Sequence, residues 1–246
     1  MKRLTDIISV FRIHLARLRA EAGPFILAAL VFPTAMYLFA VAVSDAGEIS
    51  DEKRLRFLAG SIVFSLSMTS ISWLGYLMLE NRFTGRLKLF ATLPLSPSSY
   101  VLGVLIFALL QAALGTTALL VMAYALGVRT NASYLLLSAI VLLTMLCLCG
   151  LSVIIAARAR SFSEGSLLTD SLGAGLIFLA PVYYSPQAMP GPLRAVSKWL
   201  PTTFAARAMQ SALGGSVHIE TDLLAIALMA LVTLSLGFRL IRWRED

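Results

Sequence analysis

The chain has 246 residues, of which 59% are hydrophobic and 13% charged, with a mean hydropathy of +0.85. A soluble domain carries roughly a quarter charged residues, so the composition excludes a water-soluble fold. The net charge of +7 does not indicate a nucleic-acid surface, because the basic residues are spread among loops rather than gathered on one face.

Residues 1–22 are expected to form an amphipathic helix lying in the membrane interface. Leu4, Ile7, Ile8, Phe11, Leu15 and Leu18 recur at three- and four-residue spacing, with Lys2, Arg3, Asp6, Arg12, Arg17 and Arg19 mainly on the other side. Basic residues of such a helix, Arg12 and Arg17 among them, reach lipid phosphates. This basic stretch has no small-residue cleavage site, so a removable signal peptide is not expected. Gly23-Pro24 then turns the chain into the bilayer, proline being tolerated in a first helical turn.

Six spans follow at about 24–44, 57–79, 99–127, 133–157, 166–184 and 221–241, from apolar length and polar punctuation. Lys and Arg divide thirteen to seven in favour of the side that holds the N-terminus, which predicts both termini in the cytoplasm. The absence of repeats and linkers predicts a single transmembrane domain over residues 1–246, of all-α class.

Two connections are more than turns. Residues 80–99, ENRFTGRLKLFATLPLSPSS, combine a polar start, an amphipathic stretch with Leu87, Leu89, Phe90 and Leu93, and the stops Pro94 and Pro97. They predict a short helix at the cytoplasmic surface. Residues 185–220 are too apolar for a solvated loop and are broken by Pro186, Pro190, Pro192 and Pro201. Irregular backbone at membrane depth survives only when buried in protein or lining a cavity. Two re-entrant half-helices, roughly 192–200 and 203–213, are therefore expected, the second capped by Thr202 or Thr203 and ended by Gly214-Gly215. Ser161-Phe-Ser-Glu164 has capping-box spacing at the start of the fifth span.

Chemistry of its own is missing. The sequence has no G-x-x-x-x-G-K-[ST] loop, G-x-S-x-G, H-E-x-x-H or metal-ligand cluster. Cys147 and Cys149, two apart in an apolar segment, point to different sides of a helix and read as packing residues. Ionisable groups are absent from the expected mid-membrane regions, which disfavours an ion relay. Asp170, about one turn inside the expected fifth span, reads as an interface acid. Phe64, Trp73, Tyr76, Phe107, Tyr124 and Phe178 are candidates for lining an apolar path or for packing.

The sequence resembles the type-2 ATP-binding-cassette exporter permeases over nearly its whole length. The resemblance is carried first by Glu80-Asn-Arg82-Phe-Thr-Gly85, then Leu87, Leu89, Ala91-Thr92 and Leu93-Pro94-Leu95-Ser96. These are similar to the family's acid, base and glycine ahead of a leucine-rich helix. Trp199-Leu200-Pro201-Thr202-Thr203-Phe204 with Arg207 resembles a second, outer motif. The resemblance implies that Glu80, Arg82, Gly85, Arg86, Leu87, Lys88, Leu89, Phe90 and Pro94 couple the spans to a cytoplasmic ATPase. Many relatives carry an acid where this chain has Lys88. It further implies two ATPase subunits, which hold ATP and Mg while this chain binds no cofactor. A second permease copy, giving a homodimer in the bacterial inner membrane, and export of a hydrophobic or amphipathic compound are also implied. Lys198 and Arg207 either attract an anionic head group or pair with Glu220 or Asp222. The alternative to transport is an assembly factor that recruits a cytoplasmic partner through residues 80–97.

Overall fold

The computed structural model describes residues 2–20, 22–44, 50–93, 95–216 and 218–240. Pro94, Arg242, Arg244 and the expected end of the sixth span at 241 lie outside them, as do the side chains of Lys2 and Arg19. Among the described residues every regular element is helical.

Helix α1 covers Lys2–Ala20, and α2 (Ala22–Ile26) has Gly23-Pro24 in its first turn. A π-helical turn, Leu27–Val31, joins α2 to α3 (Phe32–Ser44). Next comes the most enclosed rod, made of α4 (Asp51–Ser67), a second π segment (Met68–Trp73) and α5 (Leu74–Phe83). Its serines explain the wider turns. Ser70 Oγ donates to the Leu66 carbonyl, and Ser152 Oγ donates to the Ser70 carbonyl from another helix, so side chains compete for the backbone acceptors that an α-ladder would use.

Helix α6 (Arg86–Thr92) is followed by α7 (Pro97–Ala125), α8 (Tyr134–Arg158) and α9 (Phe162–Phe178). Two shorter helices, α10 (Gly191–Ser197) and α11 (Pro201–Leu213), precede α12 (Glu220–Leu240). Starts follow local chemistry. Ser96 Oγ accepts from the Ser99 amide at 3.1 Å with Pro97 in the first turn. Ser161 Oγ accepts from the Glu164 amide at 3.1 Å, while Glu164 Oε2 reaches back to the Arg160 amide at 2.9 Å.

Among the described residues, four rods are long and apolar enough to cross a membrane: residues 51–83, 97–125, 134–158 and 220–240. The most apolar window of the first is 78% buried inside the protein, and that of the last 17%. The first is therefore the core element, while α12 leaves Leu224, Leu228, Leu231, Val232 and Leu236 to the surroundings.

Three sequence expectations are revised. The second span starts at Asp51 rather than 57, because Ser50 accepts from the Lys53 amide and Glu52 pairs with Arg56 at 3.0 Å. The helix expected as the fifth span ends at Phe178 rather than 184. Pro181 lacks a donor and clashes with a preceding turn, and residues 179–184 are irregular. The half-helix expected at 192–200 stops at Ser197.

The core is centred on α8, which packs against α4, α5, α7, α9, α11 and α12. Cys147 and Cys149 are both buried but belong to different apolar clusters. Close approach of α8 and α12 rests on small residues, as is common between membrane helices. A Cβ on Gly150 would lie 2.5 Å from Thr233 Oγ1 and 2.8 Å from the Leu234 backbone nitrogen. Gly150→Val is expected to destabilise the purified protein by about 1–3 kcal/mol through overpacking. Gly175→Ala, at a position with no atom within 4 Å of the added Cβ, is expected to leave thermal unfolding in detergent nearly unchanged.

Candidate functional site: the junction of α5, α6 and α1

Helix α5 ends where Thr84 places both its amide (2.9 Å) and its hydroxyl (2.6 Å) on the Glu80 carbonyl. Gly85 then takes φ +77, a left-handed conformation that side chains disfavour, and its carbonyl accepts from the Leu89 amide at 3.2 Å. This turn redirects the chain into α6. One side of α6 is anchored: Leu87 and Phe90 pack on the main core, and the Phe90 ring lies 5.4 Å from that of Tyr100. Tyr100 is held in turn by Asn81, whose Nδ2 donates to its hydroxyl at 2.8 Å. The other side presents Arg86, Lys88, Leu89 and Leu93 outward, with Leu89 65% exposed.

Charge pairing fixes the junction to the rest of the fold. Glu80 accepts from Arg17 of α1 at 2.9 Å through one oxygen and lies 3.1 Å from Arg86 through the other. Arg82 donates to the carbonyls of Ala156 and Ala159 at 2.7 and 2.9 Å, acceptors at the end of α8 that the helix leaves unsatisfied. Its guanidinium also sits 5.1 Å from the Phe83 ring centroid. The acid and base of the motif thus join α5 to α1, α6 and α8.

Helix α1 is packed as well as amphipathic. Val10 and His14 are buried, whereas Arg12 is exposed. A Cβ on Gly103 of α7 would lie 2.6 Å from Val10 Cβ, so the two helices meet almost backbone to backbone. The rings of Phe11, His14 and Trp73 lie 6.3, 5.8 and 5.3 Å from the ring of Phe107. Phe107 is therefore a packing residue. His14 Nε2 has no hydrogen-bond partner among the described residues, and burial, followed by the nearby Arg17 charge, lowers its pKa to about 4. Sequence spacing assigned Arg17 to lipid phosphate, and the structure places it on Glu80, 63 residues away. An acid and a base in separate segments gave no signal of that pairing.

At the opposite end of the rods, Pro201 occupies the first turn of α11 after Leu200. The expected cap by Thr202 or Thr203 does not form. Instead, the hydroxyl of Thr202 donates to the Leu176 carbonyl and that of Thr203 to the Ser197 carbonyl, tying α11 to α9 and α10. Arg207 pairs with Asp222 and stacks 5.0 Å from the Phe204 ring, whereas Lys198 is exposed. The two cations expected to act together are therefore held differently. Gly214 and Gly215 close α11 as expected, Gly215 at φ +84.

The family model described as ABC-2 type transporter matches residues 7–213. That range includes most of α1, the α5–α6 junction and α11. The chain belongs to this family, which makes it a membrane-embedded permease component of an ATP-binding-cassette transporter and not itself the catalyst. A search of curated proteins finds no significant match.

Two outcomes follow from the junction. In a double-mutant cycle, Arg17→Ala and Glu80→Ala are expected to show a coupling energy of about 0.5–1 kcal/mol, given that both side chains are partly screened by solvent; additive effects on unfolding would contradict the pairing. His14 is held neutral below its usual pKa, so its contribution to stability is fully present above about pH 6.5. It is lost as the pH falls towards about 4. Proteolysis of α1 in detergent is expected to accelerate between pH 7 and 5, and the acceleration is expected to be weaker in His14→Phe.

Proposed function

We propose that this permease forms half of an exporter's path for a hydrophobic or amphipathic compound, and that α6 is where a separate ATPase delivers its work. The observation that carries the reading is the two-sided character of α6. Leu87 and Phe90 are fixed to the core while Leu89, Leu93, Lys88 and Arg86 face outward, beside a Glu80 that already joins three helices. A surface of exposed leucines rimmed by cations suits a protein contact with an apolar centre and a polar rim. Because α6 continues from α5, a push on it acts on the rod 51–83, the most enclosed element of the fold.

Composition supports the other half of the reading. With no phosphate-binding loop in the sequence, ATP and Mg belong to the partner, present in two copies, and a second copy of this chain completes the path. Six crossings are counted when 22–44 and α9 are added to the four long rods, with α10 and α11 re-entering from the outer side. Both termini then lie in the cytoplasm of a bacterial inner membrane. Exposed Leu193 and Val196 on α10 and Trp199 just after it suit the outer interface, where aromatic side chains anchor. The nearly apolar spans favour an apolar cargo, and ATP-bound closure of the partner would shift the equilibrium between two arrangements of the paired rods.

Leu89→Asp combined with Leu93→Asp is expected to lower transport-coupled ATPase activity by about tenfold or more, as loss of a central interface contact does. Thermal unfolding of the isolated permease is expected to be nearly unchanged, since both side chains are exposed. Unaltered ATPase stimulation and co-purification in this variant would refute the role of α6.

A further inference from the structure

We propose that Asp170 and Tyr76 form a binding point for the cationic group of an amphipathic cargo, on a face of the permease made by α5 and α9. The inference rests on the reading of this chain as half of a transport path.

Sequence boundaries had put Asp170 near the start of a span. In the structure α9 begins at Phe162, so Asp170 lies eight residues in, about 12 Å along the helix axis at 1.5 Å per residue and midway along α9. The neighbouring Thr169 is fully buried and meets Gly75 of α5, whose added Cβ would lie 2.9 Å from it. That contact holds the two helices together. Asp170 and Tyr76, the next residue on each helix, flank it on the outward side, and the Tyr76 hydroxyl donates to Asp170 Oδ2. Asp170 is exposed on the single chain, and no Lys, Arg or His among the described residues pairs with it.

A carboxylate at this depth is costly to leave against hydrocarbon, and such groups mark pathways when they face a cavity. Covering the face with a second copy neutralises the charge only where that copy brings a cation to it, and on the twofold axis itself Asp170 would meet its own like charge. A cation resolves both difficulties. The surroundings specify what carries it: Leu167, Leu168 and Phe178 are exposed along α9, and Phe162 lies 6.4 Å from the Tyr76 ring. An ammonium or related cation attached to an apolar or aromatic body matches charge to Asp170, ring face to Tyr76 and hydrocarbon to the leucines.

The test uses the permease–ATPase complex in nanodiscs of zwitterionic lipid, with ethidium as a cationic probe and anilinonaphthalene sulfonate as an anionic one. Empty discs supply the background. Wild type is expected to bind ethidium saturably. Asp170→Asn is expected to weaken that binding about tenfold or more, the loss of one charge-assisted contact, and Asp170→Glu to restore most of it. Tyr76→Phe is expected to weaken it less. Anionic-probe binding is expected to be unchanged in Asp170→Asn. Absent saturable ethidium binding in wild type, equal affinity in Asp170→Asn, or equal loss for both probes would overturn the proposal. Each of those results leaves ATPase coupling through α6 intact, so they are distinct from failure of the transport reading.

Discussion

Glu80 sits at the end of the rod 51–83 and binds Arg17 from α1 and Arg86 from α6 at once. The position of α6 depends on this shared carboxylate. A seven-residue helix does not hold its own geometry in water, since isolated helices below about twelve residues are marginal. Here it is fixed from three directions: Glu80 binds its first residue, Gly85 sets the angle of its start, and Phe90 rests against Tyr100. Arg82, by engaging the last carbonyls of α8, extends the same rigid connection into the centre of the fold. Under the proposed coupling, a force applied at Leu89 would meet a braced joint, and the motion would have to appear elsewhere in the rods.

The π segments offer such places. Leu27–Val31 and Met68–Trp73 lie beside one another, in rods whose far ends are otherwise regular. Wider helical turns of this kind occur frequently at functional sites. Ser70 and Ser152 stabilise the second one through side-chain donors to backbone carbonyls that an ordinary α-ladder would use as its own acceptors. At the other end, Thr202 and Thr203 fasten α11 to carbonyls of α9 and α10, so the two short helices are tied to each other and to α9.

Much of this was legible in the residues because hydrocarbon imposes simple rules. Apolar length located the helices at 97–125 and 134–158 to within two residues, and the capping box at Ser161 marked the start of α9, whereas Pro97, read as a stop, opens α7. Boundaries failed where a polar turn extended a rod, as at Asp51, or where Pro181 cut one short. What pairs across the fold was not legible. Arg17 and Glu80 each had a plausible local reading, lipid phosphate for one and a cytoplasmic motif for the other, and neither carries a signal of a partner 63 positions away. Asp170 shows a related dependence: its position along α9 follows from where that helix begins and ends, and that is decided by Ser161 and Pro181 rather than by its own surroundings.

The central claim is that α6 meets an ATPase and moves the rods in response to nucleotide. Cysteine introduced at Leu89, in a background where the buried Cys147 and Cys149 are replaced by alanine, tests it directly by cross-linking to the co-expressed ATPase subunit with and without ATP. A cross-link at position 89 whose yield changes with nucleotide is the predicted result. Its absence there, together with cross-linking from the exposed Trp199 at the opposite end, would contradict the account.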